Sequence, residues 1–184
     1  LRPEPAFQLA QRLHSDEGLP LGDLFSFVSG LYFRGKLIYA RAFANPPTGV
    51  SGTIVITPNR GLLTPETPIR LGNLLEFASV EIDPAERRFQ EPFIESAHRL
   101  STQISGSCEV VLLGSIATTK YVESLASIFG NRLRFPAEFA GRGDMSRGGL
   151  LLRCVDEKQE LAYVSLEEGA RHGPRPRKLL RSLP

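Results

Sequence analysis

The chain predicts an α/β fold, a single three-layer domain with a mostly parallel central sheet and helices on both faces. Three observations carry this. A short apolar run, a glycine turn and an amphipathic stretch follow one another at Phe25–Val28 into Tyr32–Ala44, and again at Glu109–Leu113 into Thr118–Phe129. A further helical pattern separates the β-rich segments at Gly52 and Glu109. Strands alternating with helices of this length imply a parallel sheet. The 184 residues suffice for one domain with a full core.

Taken in order, Ala6–His14 predicts a short helix, with Leu9 and Leu13 four apart, and Gly18-Leu-Pro-Leu-Gly22 breaks it. Leu24–Val28 reads as a short buried strand, and Ser29-Gly30 turns the chain. Leu31, Phe33, Leu37, Ile38 and Ala42 recur at mostly three-to-four spacing, so Tyr32–Ala44 is a helix, closed by Asn45-Pro-Pro-Thr-Gly49. Gly52–Thr57 is a β-branched strand with Pro58-Asn-Arg-Gly61 as its exit loop. Leu62–Leu71 is expected to be irregular, Gly72–Ala78 a helical turn, and Phe89–Gln103 a helix.

Glu109–Leu113 is continuously apolar after its first residue, as in strands buried on both faces. A helix from Thr118 to Phe129 ends at Gly130-Asn131, and Arg132–Phe135 forms another strand. Pro136–Gly149 is expected to be a loop, Gly149–Val155 a strand or the first turns of a helix, and Leu161–Leu166 the last strand. The domain therefore spans 23–168, after a lead-in at 1–22 and before a basic, proline-rich tail at 169–184.

Composition places the chain among soluble proteins, with 41% apolar and 23% charged residues. Its apolar runs are too short to span a membrane, and the first residues lack a signal-peptide pattern. Two cysteines, Cys108 and Cys154, make no disulfide framework, which points to a cytoplasmic protein with buried thiols. His14, His98 and His172 lack metal-ligand spacing, so no metal is expected; the sequence names no cofactor and no oligomeric state. The net charge is +2, unevenly spread. Six acids lie between Glu76 and Glu95, and five basic residues with no acid lie between Arg171 and Pro184. Such a basic end suits an anionic small molecule or nucleic acid, or is simply a solvated tail.

The densest chemistry is Gly141-Arg-Gly-Asp-Met-Ser-Arg-Gly-Gly149. Its glycines allow close backbone approach, and Arg142 and Arg147 can fork onto phosphate or carboxylate oxygens. Asp144 is a general base, a metal ligand or the partner that orients the arginines. Ser146 lacks a nucleophile elbow.

In a parallel sheet three more loops would share its carboxyl edge. Gly114-Ser-Ile-Ala-Thr-Thr-Lys-Tyr121 offers Ser115, Thr118 and Lys120 to an anion at a helix start, or is an ordinary capped corner; it is not a P-loop. Ser29–Lys36 places Arg34 and Lys36 early in a helix, where the dipole disfavours cations. Asn59 and Arg60 end the next strand, Asn59 either placing a water or satisfying its own turn. Tyr32 and Tyr121 each follow a glycine turn and can stack on a base.

Leu31-Tyr-Phe-Arg-Gly-Lys-Leu-Ile-Tyr-Ala-Arg41, Ile54-Val-Ile-Thr-Pro-Asn-Arg-Gly-Leu-Leu63, and Val110-Val-Leu-Leu-Gly114 with Tyr121 together resemble uncharacterised bacterial proteins of the uracil-DNA-glycosylase-like, Rossmann-like α/β class. The resemblance covers residues 24–130 and implies that fold and a nucleotide-like ligand. The water-activating motifs Gly-Gln-Asp-Pro-Tyr and Gly-Glu-Ala-Pro-Gly are absent, as is a His-Pro-Ser loop, with Phe135-Pro136 in a similar late position. The resulting expectation is a nucleotide- or nucleobase-directed enzyme or enzyme-like domain. It would bind its ligand through Ser29, Tyr32, Arg34, Arg60, Gly114, Ser115, Thr118, Lys120, Tyr121, Arg142, Ser146 and Arg147, the anion being held by Ser115, Lys120, Arg142 and Arg147, with Asp144 and Asn59 as catalytic candidates. The alternative is a non-catalytic nucleic-acid-binding or protein-interaction module.

Overall fold

Helices dominate the computed structural model, which describes residues 6–114 and 119–166 and is 54% helical. In chain order the elements are α1 (Ala6–His14), β1 (Leu19–Pro20), α2 (Leu21–Val28), α3 (Gly30–Phe43), β2 (Val55–Ile56), β3 (Leu62–Leu63), β4 (Pro68–Ile69) and α4 (Leu71–Ala78). There follow α5 (Arg87–Gln103), β5 (Val110–Val111), α6 (Thr119–Phe129), β6 (Leu133–Pro136), α7 (Asp144–Asp156) and β7 (Tyr163–Val164).

The expected three-layer fold is therefore wrong. The described strands form two antiparallel pairs, β1–β4 and β2–β3, and a three-stranded sheet in the order β5-β6-β7. Only β5 and β6 run parallel, in the register Val110↔Leu133, with α6 as the crossover between them. No large central sheet exists among the described residues for helices to cover.

Prolines explain part of the shortfall. Proline donates nothing to a ladder, and Pro58, Pro65 and Pro68 bracket the β2–β3–β4 segment. The strand expected over Gly52–Thr57 pairs only at Val55 and Ile56, against Leu63 and Leu62. The segment Leu62–Leu71, expected to be irregular, supplies the short β3 and β4. Val110 and Val111 are half-buried rather than covered on both faces.

Two segments change type. Leu24–Val28, expected as a strand, lies in α2, because Leu21, Leu24 and Phe25 recur at helical spacing and the first two are buried. The loop expected over Pro136–Gly149 is a 3₁₀ turn at Ala137–Phe139 followed by α7, which already begins at Asp144. In α7 the buried face runs through Arg147, Leu151 and Cys154, with Gly148 and Leu150 beside it.

The core divides into three clusters. One joins α5, α6 and β6 around Phe89, Phe93, Phe129 and Leu133. A second gathers α1, α2 and β4 around Leu19, Leu21, Ile69 and Phe77. The third packs α3 on α7 through Tyr39, Phe139, Leu151 and Cys154. Beside the second cluster an apolar groove of about 160 Å³ runs along α1, α2 and α4, lined by Leu9, Leu13, Leu24 and Leu74. Phe7, Phe27, Val28 and Leu75 are exposed large apolar side chains on the same three helices.

Candidate functional site

The α3–α7 crossing rests on two glycines. A Cβ on Gly35 would stand 2.9 Å from the Gly148 carbonyl oxygen, and one on Gly148 would stand 3.0 Å from the Tyr32 Cα. Neither spot has room for a side chain, so the helices meet backbone to backbone. Gly148, which sequence reasoning assigns to ligand approach, instead allows helix approach. Glycine in a helix interior costs about 1 kcal/mol relative to alanine; the packing of α7 on α3 offsets it.

The same crossing brings together three of the four segments singled out in the sequence. Tyr32 of α3 donates its hydroxyl to the Leu113 carbonyl at the end of β5, 3.1 Å away. Tyr121 of α6 lies across Gly114, so close that a Cβ there would be 2.8 Å from its hydroxyl. Arg147 and Asp144 of α7 are the charges that act on Tyr32 and Lys36 from the facing helix. Ser115 and Thr118 lie outside the described residues, as does the 169–184 tail.

The two arginines of this segment are committed internally. Arg147, only 8% exposed, donates Nε and Nη2 to the Phe139 carbonyl at 3.3 and 3.2 Å. Its Nη1 reaches Asp144 at 3.5 Å, and its guanidinium lies 5.4 Å from the Phe139 ring centroid. It pins the start of α7 to the preceding 3₁₀ turn. Arg142 donates to the Glu138 carbonyl at 2.9 Å and to Ser146 Oγ at 3.2 Å. Asp144, exposed in the first turn of α7, suits the positive end of the helix dipole and orients Arg147.

Lys36 behaves differently. It is half-buried, with Nζ 4.4 Å from the centroid of Tyr32 and 5.5 Å from that of Phe33. Among the described residues its ammonium has no hydrogen bond and no carboxylate within salt-bridge distance. Burial holds the ammonium below the usual lysine value; Asp144 opposes that shift and Arg147 adds to it. Burial also pushes the Tyr32 hydroxyl up to about 12, with Arg147 pulling the other way. The pair is thus a neutral phenol beneath a poorly hydrated cation.

The remaining predicted residues stand elsewhere or alone. Arg60 pairs with Glu76 of α4 at 2.7 Å. Asn59 stands in the β2–β3 turn with its side-chain oxygen buried and without a hydrogen-bond partner, so it does not satisfy its own turn. In that turn Thr57 Oγ1 donates to the Gly61 carbonyl at 2.8 Å and accepts from the Arg60 N–H at 3.2 Å. Gly61 holds φ +63°, and a Cβ would run into the Pro92 carbonyl and Ser96 Oγ of α5. Ser29 precedes α3 without a side-chain cap bond. Arg34 and Lys120 are exposed.

One polar assembly escaped sequence reasoning. The Leu161 N–H donates to Tyr39 Oη at 2.9 Å. Tyr39 and Tyr163 hydroxyls lie 2.7 Å apart, and Tyr163 donates to Glu160 at 2.8 Å. A carboxylate only accepts, so Tyr39 donates to Tyr163 and the chain runs one way. Burial raises both phenols above the usual tyrosine value, and for Tyr163 the hydrogen bonds add to the shift. The only sequence signal was a tyrosine on the inner face of a helix.

Among the described residues no group of three or more His, Cys, Asp and Glu is placed to hold a metal. No helix there is long and apolar enough to cross a membrane. No protein-family model, curated protein or solved structure matches the chain.

Proposed function

We propose that the chain binds a phosphate-bearing ligand of the nucleotide class where α3, α7 and the end of β5 meet. The observation that carries this reading is Lys36, a half-buried ammonium set over an aromatic ring with no counter-ion among the described residues. Two cations, Lys36 and Arg147, share the junction with one carboxylate, Asp144, which Arg147 already engages. An anion there would supply the missing charge, and an unpaired, poorly hydrated cation gains most from it. Tyr121 beside Gly114 supports the nucleobase part of the reading, as an aromatic surface next to the phosphate. Arg142 and Arg147 act as positioning residues rather than as the clamp, because their guanidinium groups hold the start of α7. Asp144 keeps Arg147 in place, and its charge opposes the downward shift of Lys36.

A thermal-shift series tests this with pyrophosphate, nucleoside mono- and diphosphates and short oligonucleotides, on the parent and on Lys36→Met. Ligand at 100 times its Kd adds about 2.7 kcal/mol, a rise of several degrees for a chain of this size. The expected result is a rise in the parent that Lys36→Met loses. Oligonucleotides shifting the parent with a steep salt dependence would extend the reading to nucleic acid. An unmoved parent, or an equal rise in both proteins, would overturn it.

A further inference from the structure

The apolar groove along α1, α2 and α4 has a volume of about 160 Å³. A cavity of about 150 Å³ holds a benzene ring, so side chains of leucine size fit it. Six large apolar side chains are exposed among the described residues, and four of them stand on these three helices. Phe27 and Val28 line the groove itself, and Phe7 and Leu75 belong to the helices that form its other walls. An apolar patch of this kind on a folded chain marks a surface that something covers. Its rim is charged. Asp16 and Glu17 follow α1, and Asp23 stands on α2 one turn before Phe27. All three are exposed, and none is in a salt bridge among the described residues. α2 and α4 contain Asp23 and Glu76 and no lysine or arginine. The nearby cations are Arg12 on α1 and Arg70 at the start of α4, where Arg70 donates to the Asp16 carbonyl.

We propose that this groove is the docking site for the chain's own residues 177–183, Arg-Lys-Leu-Leu-Arg-Ser-Leu. After Leu166 the sequence has four apolar residues, Ala170, Leu179, Leu180 and Leu183, and the three leucines fall together. Leu183 follows the other two by four and three residues, the spacing of one helix face. Such a face is the kind that an apolar groove takes up. Arg177, Lys178 and Arg181 interleave with the leucines and match the carboxylates of the rim in sign. The tether is long enough. Thirteen residues separate Leu166 from Leu179 and span up to about 40 Å, against a radius of gyration of about 15 Å for a domain of this size. A short tether also keeps the leucines at an effective concentration of about millimolar, so a weak contact suffices to hold them. A second copy is the poorer occupant, because it would set the acidic α2 and α4 against the same acids.

The experiment compares the full chain with a variant carrying Leu179→Ser, Leu180→Ser and Leu183→Ser, which keeps every charge and alters none of the described residues. Both are treated with a carbodiimide, which joins an amine to a carboxylate in direct contact, and the links are mapped by peptide mass in mixed ¹⁴N and ¹⁵N samples. The expected result is a link from Lys178 to Asp16, Glu17 or Asp23 within one isotope label, lost in the variant. Val28→Gln, in the groove wall at a position 63% exposed, should lose the same link. Amide hydrogen exchange in α1, α2 and α4 should speed about tenfold in the leucine variant, while α5 and α6 stay unchanged. No link from Lys178 to these acids, with exchange in α1, α2 and α4 equal in the two proteins, would overturn the proposal. A link between the two isotope labels, or a dimer by light scattering that the leucine variant leaves intact with its exchange unchanged, assigns the groove to a second copy and overturns it as well.

Discussion

Lys36 and Tyr39 sit one turn apart on α3, and their surroundings are opposites. The Tyr39 hydroxyl accepts from Leu161 and lies in a hydrogen-bonded chain that ends on Glu160. The Lys36 ammonium meets two aromatic rings, and the charge of Arg147 on the facing helix acts against it. A buried polar group whose bonds are all made fixes the packing around it; one left without a partner costs free energy wherever it persists. The difference separates the roles of the two turns. The Tyr39 turn locks β7 and its approach segment onto α3. The Lys36 turn carries an unmet demand for negative charge.

The sharpest way to break this comparison is to separate the helices that frame both turns. Gly35→Val places side-chain atoms where the Gly148 backbone already stands. It is expected to cost about 3 kcal/mol, the upper range for overpacking, as read by urea unfolding; a cost under about 0.5 kcal/mol would show that the crossing tolerates a side chain. Next in size, Tyr39→Phe deletes one hydroxyl and strands the Leu161 N–H. It should destabilise by about 1–3 kcal/mol, the penalty of an unmatched buried group.

Lys36→Met keeps the apolar stem and removes the charge. It is expected to be at least as stable as the parent, within about 1 kcal/mol, because the desolvation it relieves opposes the cation–π contact it loses. Equal losses from Lys36→Met and Tyr39→Phe would erase the distinction between the two turns.

The smallest effect is the pH dependence. Lys36 is held below its ordinary value of 10.5. Between the folded value and 10.5 the unfolded chain therefore binds more protons, and this group's contribution to stability rises with pH. Any advantage of Lys36→Met at neutral pH should shrink as pH approaches 10.5. Tyr32 acts in reverse, since its value is pushed up from 10.0 to about 12 and its contribution falls with pH in that window. Paired unfolding curves from pH 7 to pH 10 isolate the lysine; an advantage that grows with pH would contradict the assignment.

The sequence made local helices legible and long-range pairing illegible. Ala6–His14, the Tyr32–Ala44 helix and Phe89–Gln103 each show a three-to-four apolar rhythm, and each is helical. The rhythm in α7 was hidden because one of its inward positions is an arginine and another a glycine. Arg147 is buried only because Phe139 and Asp144 satisfy it, which no local pattern reveals. The parallel sheet was inferred from alternation, yet two-residue strands limited by prolines and glycine turns cannot build one. The meeting of Ser29–Lys36, Gly114 with Tyr121, and Gly141–Gly149 was anticipated from a sheet edge that the described residues do not form. They meet instead at a helix crossing, and Asn59-Arg60-Gly61 docks on α5 and α4.

The central claim is that Lys36 awaits an anion, and four lysines make it accessible to NMR. Lysine labelled with ¹³C at Cε gives at most four signals, which can be followed while pyrophosphate or a nucleoside diphosphate is added. The account predicts that the Lys36 signal shifts alone and saturably as the anion pairs with it. A Lys36 signal that stays still, or one that drifts in parallel with Lys120 and Lys158 without saturating, would contradict it.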